Sequence, residues 1–213
     1  MEFSCNKCMC SIVGPASRHV ISDMQLGNDK IHWVGSFKYL GIQFVTGKSL
    51  SVDTQMIKRK FYSSCNCILG NVSCLSEIIK LSMVETFSLP ILLFATAALK
   101  LSNTQINELN ACWNAAYRRI FGFNKWESVR CFINGLGRLD FNHLRLFLHL
   151  KFCSLNLSCS NATLRGVMKT YFCSYFFKNL CASVGIGSSQ YEYFTGISVR
   201  RFKDYIHFAF ANS

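Results

Sequence analysis

The first quarter of the chain alternates short apolar runs with turn residues, which is a pattern typical of β-strands. The runs Met9–Val13, Ile31–Val34 and Phe37–Phe44 are separated by Gly and Pro residues that favour turns. The third run, "FKYLGIQF", carries a lysine, a tyrosine and a glycine in its middle. These runs predict a small antiparallel strand region, with a hairpin at Phe37–Phe44, that ends near Gly47.

Beyond residue 48 the apolar spacing changes to that of α-helices. In the first such stretch we expect Ser51 or Asp53 to cap a helix and Gly70 to end it. Spacings of four, four and three place its apolar residues on one face. These residues are Ile57, Phe61, Cys65 and Ile68.

The strongest helix prediction begins at Ser102. Ser102 and Gln105 form a capping-box pattern, Arg118 and Arg119 fall in the expected last turn, and Gly122 is placed to end the helix. The predicted buried positions are Ile106, Leu109, Trp113, Ala116 and Ile120.

Two later segments complete the expected secondary structure. A further helix is predicted over Asp140–Phe152, with Leu144 and Leu148 facing inward. The segment Ala162–Leu180 also favours a helix, with apolar residues nearly all round, and we expect it to be buried or to pack on another chain. The predicted fold class is therefore α+β: a short antiparallel strand and hairpin region followed by a mostly helical bundle.

The composition indicates both a large core and a missing partner. Half of the 213 residues are apolar and only 16% are charged, against about 25% in an average domain. We therefore expect some apolar surface to be covered by another protein or segment. The net charge of +12 favours a polyanion, either nucleic acid or an anionic membrane surface, although a generally basic soluble protein would show the same excess.

The cysteines and the most apolar segment bear on where the protein resides. Twelve cysteines in a chain of this length fall below the density of disulfide scaffolds, and the first residues lack the pattern of a signal peptide. We expect reduced thiols in an intracellular protein, cytoplasmic or nuclear and not secreted. The segment Phe87–Leu99 is too short to span a membrane, so it is interpreted as a core segment bent at Pro90.

Metal and catalytic chemistry find little support in the sequence. "CNKCMC" (Cys5, Cys8, Cys10) lacks a second ligand pair for zinc. The carboxylates are scattered, whereas two-metal phosphoryl chemistry needs carboxylates that converge on paired ions. His143 and His149 are interpreted as packing or surface residues. No catalytic residue, metal site or cofactor is expected in this chain.

Basic residues, in contrast, do cluster. "KRKFY" places Lys58, Arg59 and Lys60 on the solvent side of the first predicted helix, where they could hold phosphates or merely be solvated. The segment Tyr117–Arg130 interleaves basic and aromatic residues, a pattern that supports nucleic-acid stacking but is equally typical of a core edge.

Taken in order, "FKYLGIQFVTGKSLSVDTQMIKRKFYSSCNCIL" and "LNACWNAAYRRIFGFNKWESVR" resemble the last part of the reverse transcriptase of LINE-type (non-long-terminal-repeat) retrotransposons. The resemblance covers roughly residues 1 to 150. In that family a Lys-Tyr-Leu-Gly hairpin closes the palm and grips the primer end, and a helical thumb follows.

The resemblance implies roles for particular residues of this chain. The hairpin residues are Lys38, Tyr39, Leu40 and Gly41. Lys7 would lie near the incoming nucleotide, and the nucleic-acid contacts of the thumb would be Lys58, Arg59, Lys60, Arg118 and Arg119. The implied domains are the end of the palm at 1–48, a helical thumb and connection at 49–152, and a helical extension of unknown role at 153–213.

The chain also departs from the family pattern. The catalytic aspartates, which bind Mg²⁺ in the full enzyme, are expected to precede residue 1, and the terminal Cys/His element has no counterpart in residues 151–213. We therefore expect a truncated fragment that binds an RNA/DNA template–primer but does not polymerise alone. The alternatives are a helical protein-interaction module without nucleic-acid function and, less favoured, a membrane-associated protein.

Overall fold

The computed structural model describes residues 8–15, 22, 24–27, 29–94, 96–157 and 159–172, together with the single positions 178, 182 and 204. The chain has an α+β fold that divides into two compact units, and their boundary lies between Arg59 and Lys60, inside the first helix. The domain limits inferred from the resemblance stay a prediction.

The first unit contains two small antiparallel sheets. One pairs β1 (Met24–Leu26) with β2 (Asp29–Ile31). The other has the strand order β3-β4-β5, formed by Ser36–Tyr39, Ile42–Val45 and Ser51–Asp53. The hairpin predicted at Phe37–Phe44 is therefore confirmed.

Other strand predictions for this region need correction. Met9–Val13 forms no strand and contributes only an isolated parallel bridge between Cys10 and Trp33. β1 was not predicted, and neither was β5, whose residues were expected to cap a helix. A strand of three residues carries too few side chains to show an alternating pattern.

A single residue, Thr54, separates β5 from the first helix, α1 (Gln55–Asn71). The Asp53 carboxylate accepts the N–H of Gln55 at 2.8 Å, and the Thr54 carbonyl accepts the N–H of Lys58 at 3.0 Å. Asp53 therefore supports the helix start, as predicted. Of the predicted apolar face, Ile57, Phe61 and Cys65 are buried and Ile68 is half-buried.

The next two helices contain the segment that was interpreted as bent core. α2 spans Glu77–Phe87 and α3 spans Leu89–Leu93, with Pro90 in the first turn of α3. Leu89 and Leu92 are buried while Phe87 and Phe94 are exposed, so the core interpretation holds for one side of the segment. The buried Ser88, two residues before Pro90, separates the two helices. No helix within the described residues is long and apolar enough to cross a membrane.

The central helix is α4 (Asn103–Phe121), and its predicted ends are confirmed. Ser102 Oγ accepts the N–H of Gln105 at 3.2 Å, and Gln105 Oε1 accepts the N–H of Ser102 at 2.9 Å. Gly122 has a φ of 72°, so it occupies the left-handed cap that favours glycine. All of the predicted core positions of α4 are buried: Ile106, Leu109, Trp113, Ala116 and Ile120.

The remaining described helices are α5 (Arg130–Gly135), α6 (Phe141–Leu157) and α7 (Ala162–Phe172). Ring contacts within 6.4 Å join α1, α4 and α5 in one aromatic core of the second unit. Its rings belong to Phe61, Trp113, Tyr117, Phe121 and Phe132.

The predicted orientation of α6 was wrong. Leu144 and Leu148 are only half-buried, whereas Leu146, Leu150 and Cys153 are buried, at spacings of four and three. The buried face also carries three polar side chains, two of which the sequence analysis had interpreted as packing or surface residues. These are His143, Arg145 and His149.

The segment Ala162–Leu180 is described as a helix only up to Phe172. Its first part is not deeply buried, since Val167 is exposed and Leu164 and Met168 are half-buried. Apart from Lys178, the rest of the predicted segment lies outside the described residues.

Candidate nucleic-acid interface

The turn of the β3/β4 hairpin is backbone-strained. Tyr39 pairs with Ile42, so Leu40 and Gly41 form a two-residue turn with φ angles of 46° and 83°. Positive φ at both central residues is the requirement of a type I′ turn, in which Asn-Gly is the favoured pair. A leucine there costs about 1–2 kcal/mol, because its Cβ approaches the following carbonyl. Among the described residues, Leu40 alone is a non-glycine residue with positive φ.

The same turn is exposed and apolar. Tyr39 is 62% exposed and Leu40 is 74% exposed, and Lys38 before them also faces solvent. Below the turn, Phe37 and Phe44 are cross-strand partners whose rings stack with centroids 5.4 Å apart. The strand pair is thus stabilised at its base and presents a tyrosine and a leucine at its tip.

The three cations of α1 occupy consecutive helical positions. Because each residue advances the helix by about 100°, Lys58, Arg59 and Lys60 cannot all face the same way. Arg59 and Lys60 are exposed, whereas Lys58 is half-buried beside the Ile57 and Phe61 face. Arg59 is directed most squarely away from that face, so it is the cation of α1 best placed to meet a phosphate.

The two arginines near the end of α4 hold neighbouring segments. The exposed Arg119 donates a hydrogen bond from its guanidinium to Oδ1 of Asn66 on α1. Arg118 is half-buried, and its Nε donates to the backbone carbonyl of Glu127 at 2.9 Å. An arginine has five N–H donors, so one such bond leaves it able to contact phosphate as well.

The predicted site residues fall in both units. The hairpin residues Lys38 to Gly41 lie in the first unit with Lys58 and Arg59, and β5 joins the hairpin strand β4 to the start of α1. Lys60, Arg118 and Arg119 belong to the second unit. Lys7 lies outside the described residues.

A carboxylate–imidazole pair at the start of α6 was missed by the sequence analysis. Oδ1 of Asp140 accepts the backbone N–H of His143 at 2.9 Å and lies 2.7 Å from His143 Nδ1. Burial would raise the pKa of the Asp140 carboxyl, but the hydrogen bonds with His143 and the charges of His143 and Arg130 lower it overall. An aspartate three residues before a histidine at a helix start is the signal that could have revealed this pair.

One buried thiol and the grouping of possible metal ligands bear on catalytic chemistry. Burial raises the pKa of the Cys65 thiol, and a protonated thiol is a poor nucleophile. The described part of the chain brings together no group of three His, Cys, Asp or Glu residues that could hold a metal ion.

Comparisons with protein-family models, with curated proteins and with solved structures found no match to this chain.

Proposed function

We propose that the chain is a palm and thumb fragment of a LINE-type reverse transcriptase, and that its activity is binding of template–primer nucleic acid. The observation that carries the proposal is the exposed, strained Leu40-Gly41 turn, which lies in one sheet with the strand that leads directly into the cationic helix α1. The order of these elements is the order of the motifs that resemble the family.

Backbone strain at an exposed turn favours a functional role. A leucine in the left-handed region persists when the surrounding structure holds it there, and such positions are concentrated at ligand-binding sites. The Leu40 side chain is 74% exposed, so packing of that side chain does not offset the strain. The end of a bound nucleic-acid strand that contacts Tyr39 and Leu40 would explain why position 40 carries Leu and not Asn, which would be less strained there.

The cations supply the affinity in this proposal. Lys38 lies beside the turn, and on α1 the exposed Arg59 and Lys60 contact phosphates while the half-buried Lys58 adds its charge beside them. Each phosphate contact releases counterions, so log K should fall against log salt with a slope of about 0.9 per contact. The net charge of +12 favours the same class of ligand.

The proposal includes no polymerase activity for this chain. In the family that activity depends on Mg²⁺ held by aspartates, and the described carboxylates form no cluster that could hold metal ions. We therefore assign no chemical step to the described residues. Purified protein that extends a primer with Mg²⁺ and nucleotides would contradict this part of the proposal.

Fluorescence anisotropy of a labelled RNA–DNA duplex with a recessed end would test the proposal. The charge reversal Lys58→Glu, Arg59→Glu, Lys60→Glu should weaken binding and reduce the salt slope. A matched control, Lys48→Glu, Lys100→Glu, Lys169→Glu, changes the net charge by the same amount at exposed positions. If both triple variants bind equally, or if the wild type binds without salt dependence, the proposed function is wrong.

A helical protein-interaction module is the second candidate. Four large apolar side chains of α2, α3 and their ends are exposed: Ile78, Ile79, Phe87 and Phe94. Large exposed apolar patches mark protein-interaction sites, and these four side chains are the ones that α2, α3 and their ends could contribute to such a patch. This candidate predicts self-association, or a complex with another protein, that survives the charge reversal at residues 58 to 60.

A further inference from the structure

The loop between α4 and α5 holds one tryptophan in solvent. Trp126 is 84% exposed, the highest exposure among the large apolar side chains of the described residues. Tryptophan is highly buried on average, because its large apolar ring gains more from burial than other side chains do. A tryptophan this exposed requires a reason that a single exposed leucine does not.

The turn that carries Trp126 is held by three hydrogen bonds. The Glu127 N–H donates to the Asn124 carbonyl at 3.2 Å, which closes a turn with Lys125 and Trp126 at its centre. The Asn124 N–H donates to the Glu127 carboxylate, and Arg118 Nε donates to the Glu127 carbonyl at 2.9 Å. The ring is therefore presented by a defined turn.

The start of the loop is also fixed by aromatic packing. The rings of Phe121 and Phe123, on either side of Gly122, both contact the ring of Phe132 on α5, with centroids 4.6 Å and 4.9 Å apart. The same sequence segment thus packs its half-buried Phe121 and Phe123 against α5 and leaves Trp126 exposed. A turn whose backbone is fixed in this way loses little conformational entropy when a ligand binds, which favours a binding role.

The charges around the ring favour an anionic ligand. Lys125 is exposed and adjacent to Trp126 in the turn, and the Arg118 guanidinium contacts the turn directly. The acidic group of the turn, Glu127, has its carboxylate engaged by the Asn124 N–H. An aromatic face flanked by cations is the arrangement that binds single-stranded nucleic acid, since the ring stacks on a base and the cations contact phosphates.

We propose that Trp126 is a stacking platform for an unpaired nucleotide, with Lys125 and Arg118 as its phosphate contacts. This inference rests on the proposed function and narrows its ligand to a template or primer that carries unpaired bases. Bases inside a duplex are already stacked on one another and would not be accessible to the ring.

The test uses the full chain, a labelled oligothymidylate and three substitutions. Trp126→Phe keeps an aromatic face, and Trp126→Leu keeps apolar surface without one. Phe87→Leu changes a comparably exposed ring elsewhere in the second unit and serves as the control. We expect Trp126→Leu to weaken binding roughly 5- to 150-fold, Trp126→Phe to retain most of the affinity, and Phe87→Leu to leave it unchanged.

Tryptophan fluorescence provides a second readout. The chain has three tryptophans: Trp113 is fully buried, Trp33 is half-buried with its Nε1 donating to the Ser22 carbonyl, and Trp126 is exposed. Stacking on Trp126 should quench the emission, and Trp126→Phe should remove the quenching while binding persists. An oligonucleotide of abasic sites has no bases to stack on the ring. Its affinity for the wild type should therefore be no higher than the affinity of oligothymidylate for Trp126→Leu.

The outcomes separate this inference from the proposed function. If Trp126→Leu binds like the wild type, or if the Trp126→Leu and Trp126→Phe proteins lose affinity equally, the stacking platform is wrong while the salt-dependent binding through α1 stands. If the wild type binds neither duplex nor oligothymidylate, both are wrong. Because Trp126 is exposed, an unchanged thermal midpoint of its variants will show that the fold is intact.

Discussion

The ring of Phe61 on α1 meets the ring of Trp113 on α4 edge to face, with centroids 6.4 Å apart and planes inclined by 61°. Both side chains are fully buried, and Trp113 in turn contacts Tyr117 at 5.1 Å. Edge-to-face pairs of this kind are stabilising beyond the apolar area that they bury. The contact fixes how α1 packs on α4 within the second unit.

We expect Trp113→Ala to destabilise the protein by about 3–5 kcal/mol, because the substitution leaves a cavity in the aromatic core. Trp126→Ala is the matched control, since the same chemical change at an exposed ring should stay within about 0.5 kcal/mol. Urea unfolding monitored by circular dichroism measures both values. Equal losses from the two substitutions would contradict the assignment of core and surface.

The strained turn predicts a substitution that stabilises the hairpin. Leu40→Asn should raise the free energy of unfolding by about 1 kcal/mol, because Asn tolerates the left-handed region that Leu40 occupies. Leu50→Asn is the control, as Leu50 is exposed without positive φ. The same Leu40→Asn protein should bind the recessed duplex more weakly if the strain serves ligand contact. No gain in stability over Leu50→Asn would show that the turn is relaxed.

The capping box of α4 predicts that two serines at helix starts differ in how much stability is lost when each is replaced by alanine. Ser102→Ala should cost about 1 kcal/mol, since the Gln105 N–H loses its side-chain acceptor. Ser76 precedes α2 but makes no capping hydrogen bond through its side chain, so Ser76→Ala should cost much less. Thermal unfolding of the two variants compares them directly. A larger loss at Ser76 would contradict the geometry of the two caps.

The sequence predicted those elements whose local signals and tertiary packing agree. The α4 segment combines a capping box at Ser102, an apolar face and a cap at Gly122, and all three features are confirmed. The buried face of α1 and the β3/β4 hairpin could be predicted for the same reason. The short strands β1 and β5 depend on pairing with a neighbour, which three residues of sequence cannot reveal.

The inward face of α6 could not be predicted from apolar spacing. The buried face carries His143, Arg145 and His149 in addition to Leu146 and Leu150, and a rule that sends polar residues to solvent selects the opposite face. At the candidate site, the resemblance named the residues of the Leu40 turn and of α1, whose role stays a prediction, but the strain of the turn was not predicted. That strain depends on the register of Tyr39 with Ile42, which becomes visible only in the folded hairpin.

The buried His149 predicts a loss of stability in mild acid. Burial lowers the pKa of His149 from 6.5 to about 4, the charge of Arg145 acts in the same direction, and a backbone hydrogen bond with Ala97 opposes both. The unfolded chain therefore binds a proton at higher pH than the folded chain does. The stability that neutral His149 contributes is full above pH 6.5 and is lost as the pH falls toward 4. Between pH 7.5 and 5 the loss should be roughly 2 kcal/mol.

Chemical denaturation of the wild type and of His149→Gln at both pH values isolates this contribution. Gln does not titrate, so the variant should lose roughly 2 kcal/mol less than the wild type over the same interval, whatever its stability at pH 7.5. The Asp140 carboxyl does not confound the comparison, because its lowered pKa confines its effect to pH values near and below 3.8. A direct titration of the His149 ring by NMR provides the independent measurement. If His149 has a pKa near 6.5 in the folded protein, and if the wild type and His149→Gln lose equal free energy of unfolding between pH 7.5 and 5, the imidazole of His149 is hydrated in the folded state.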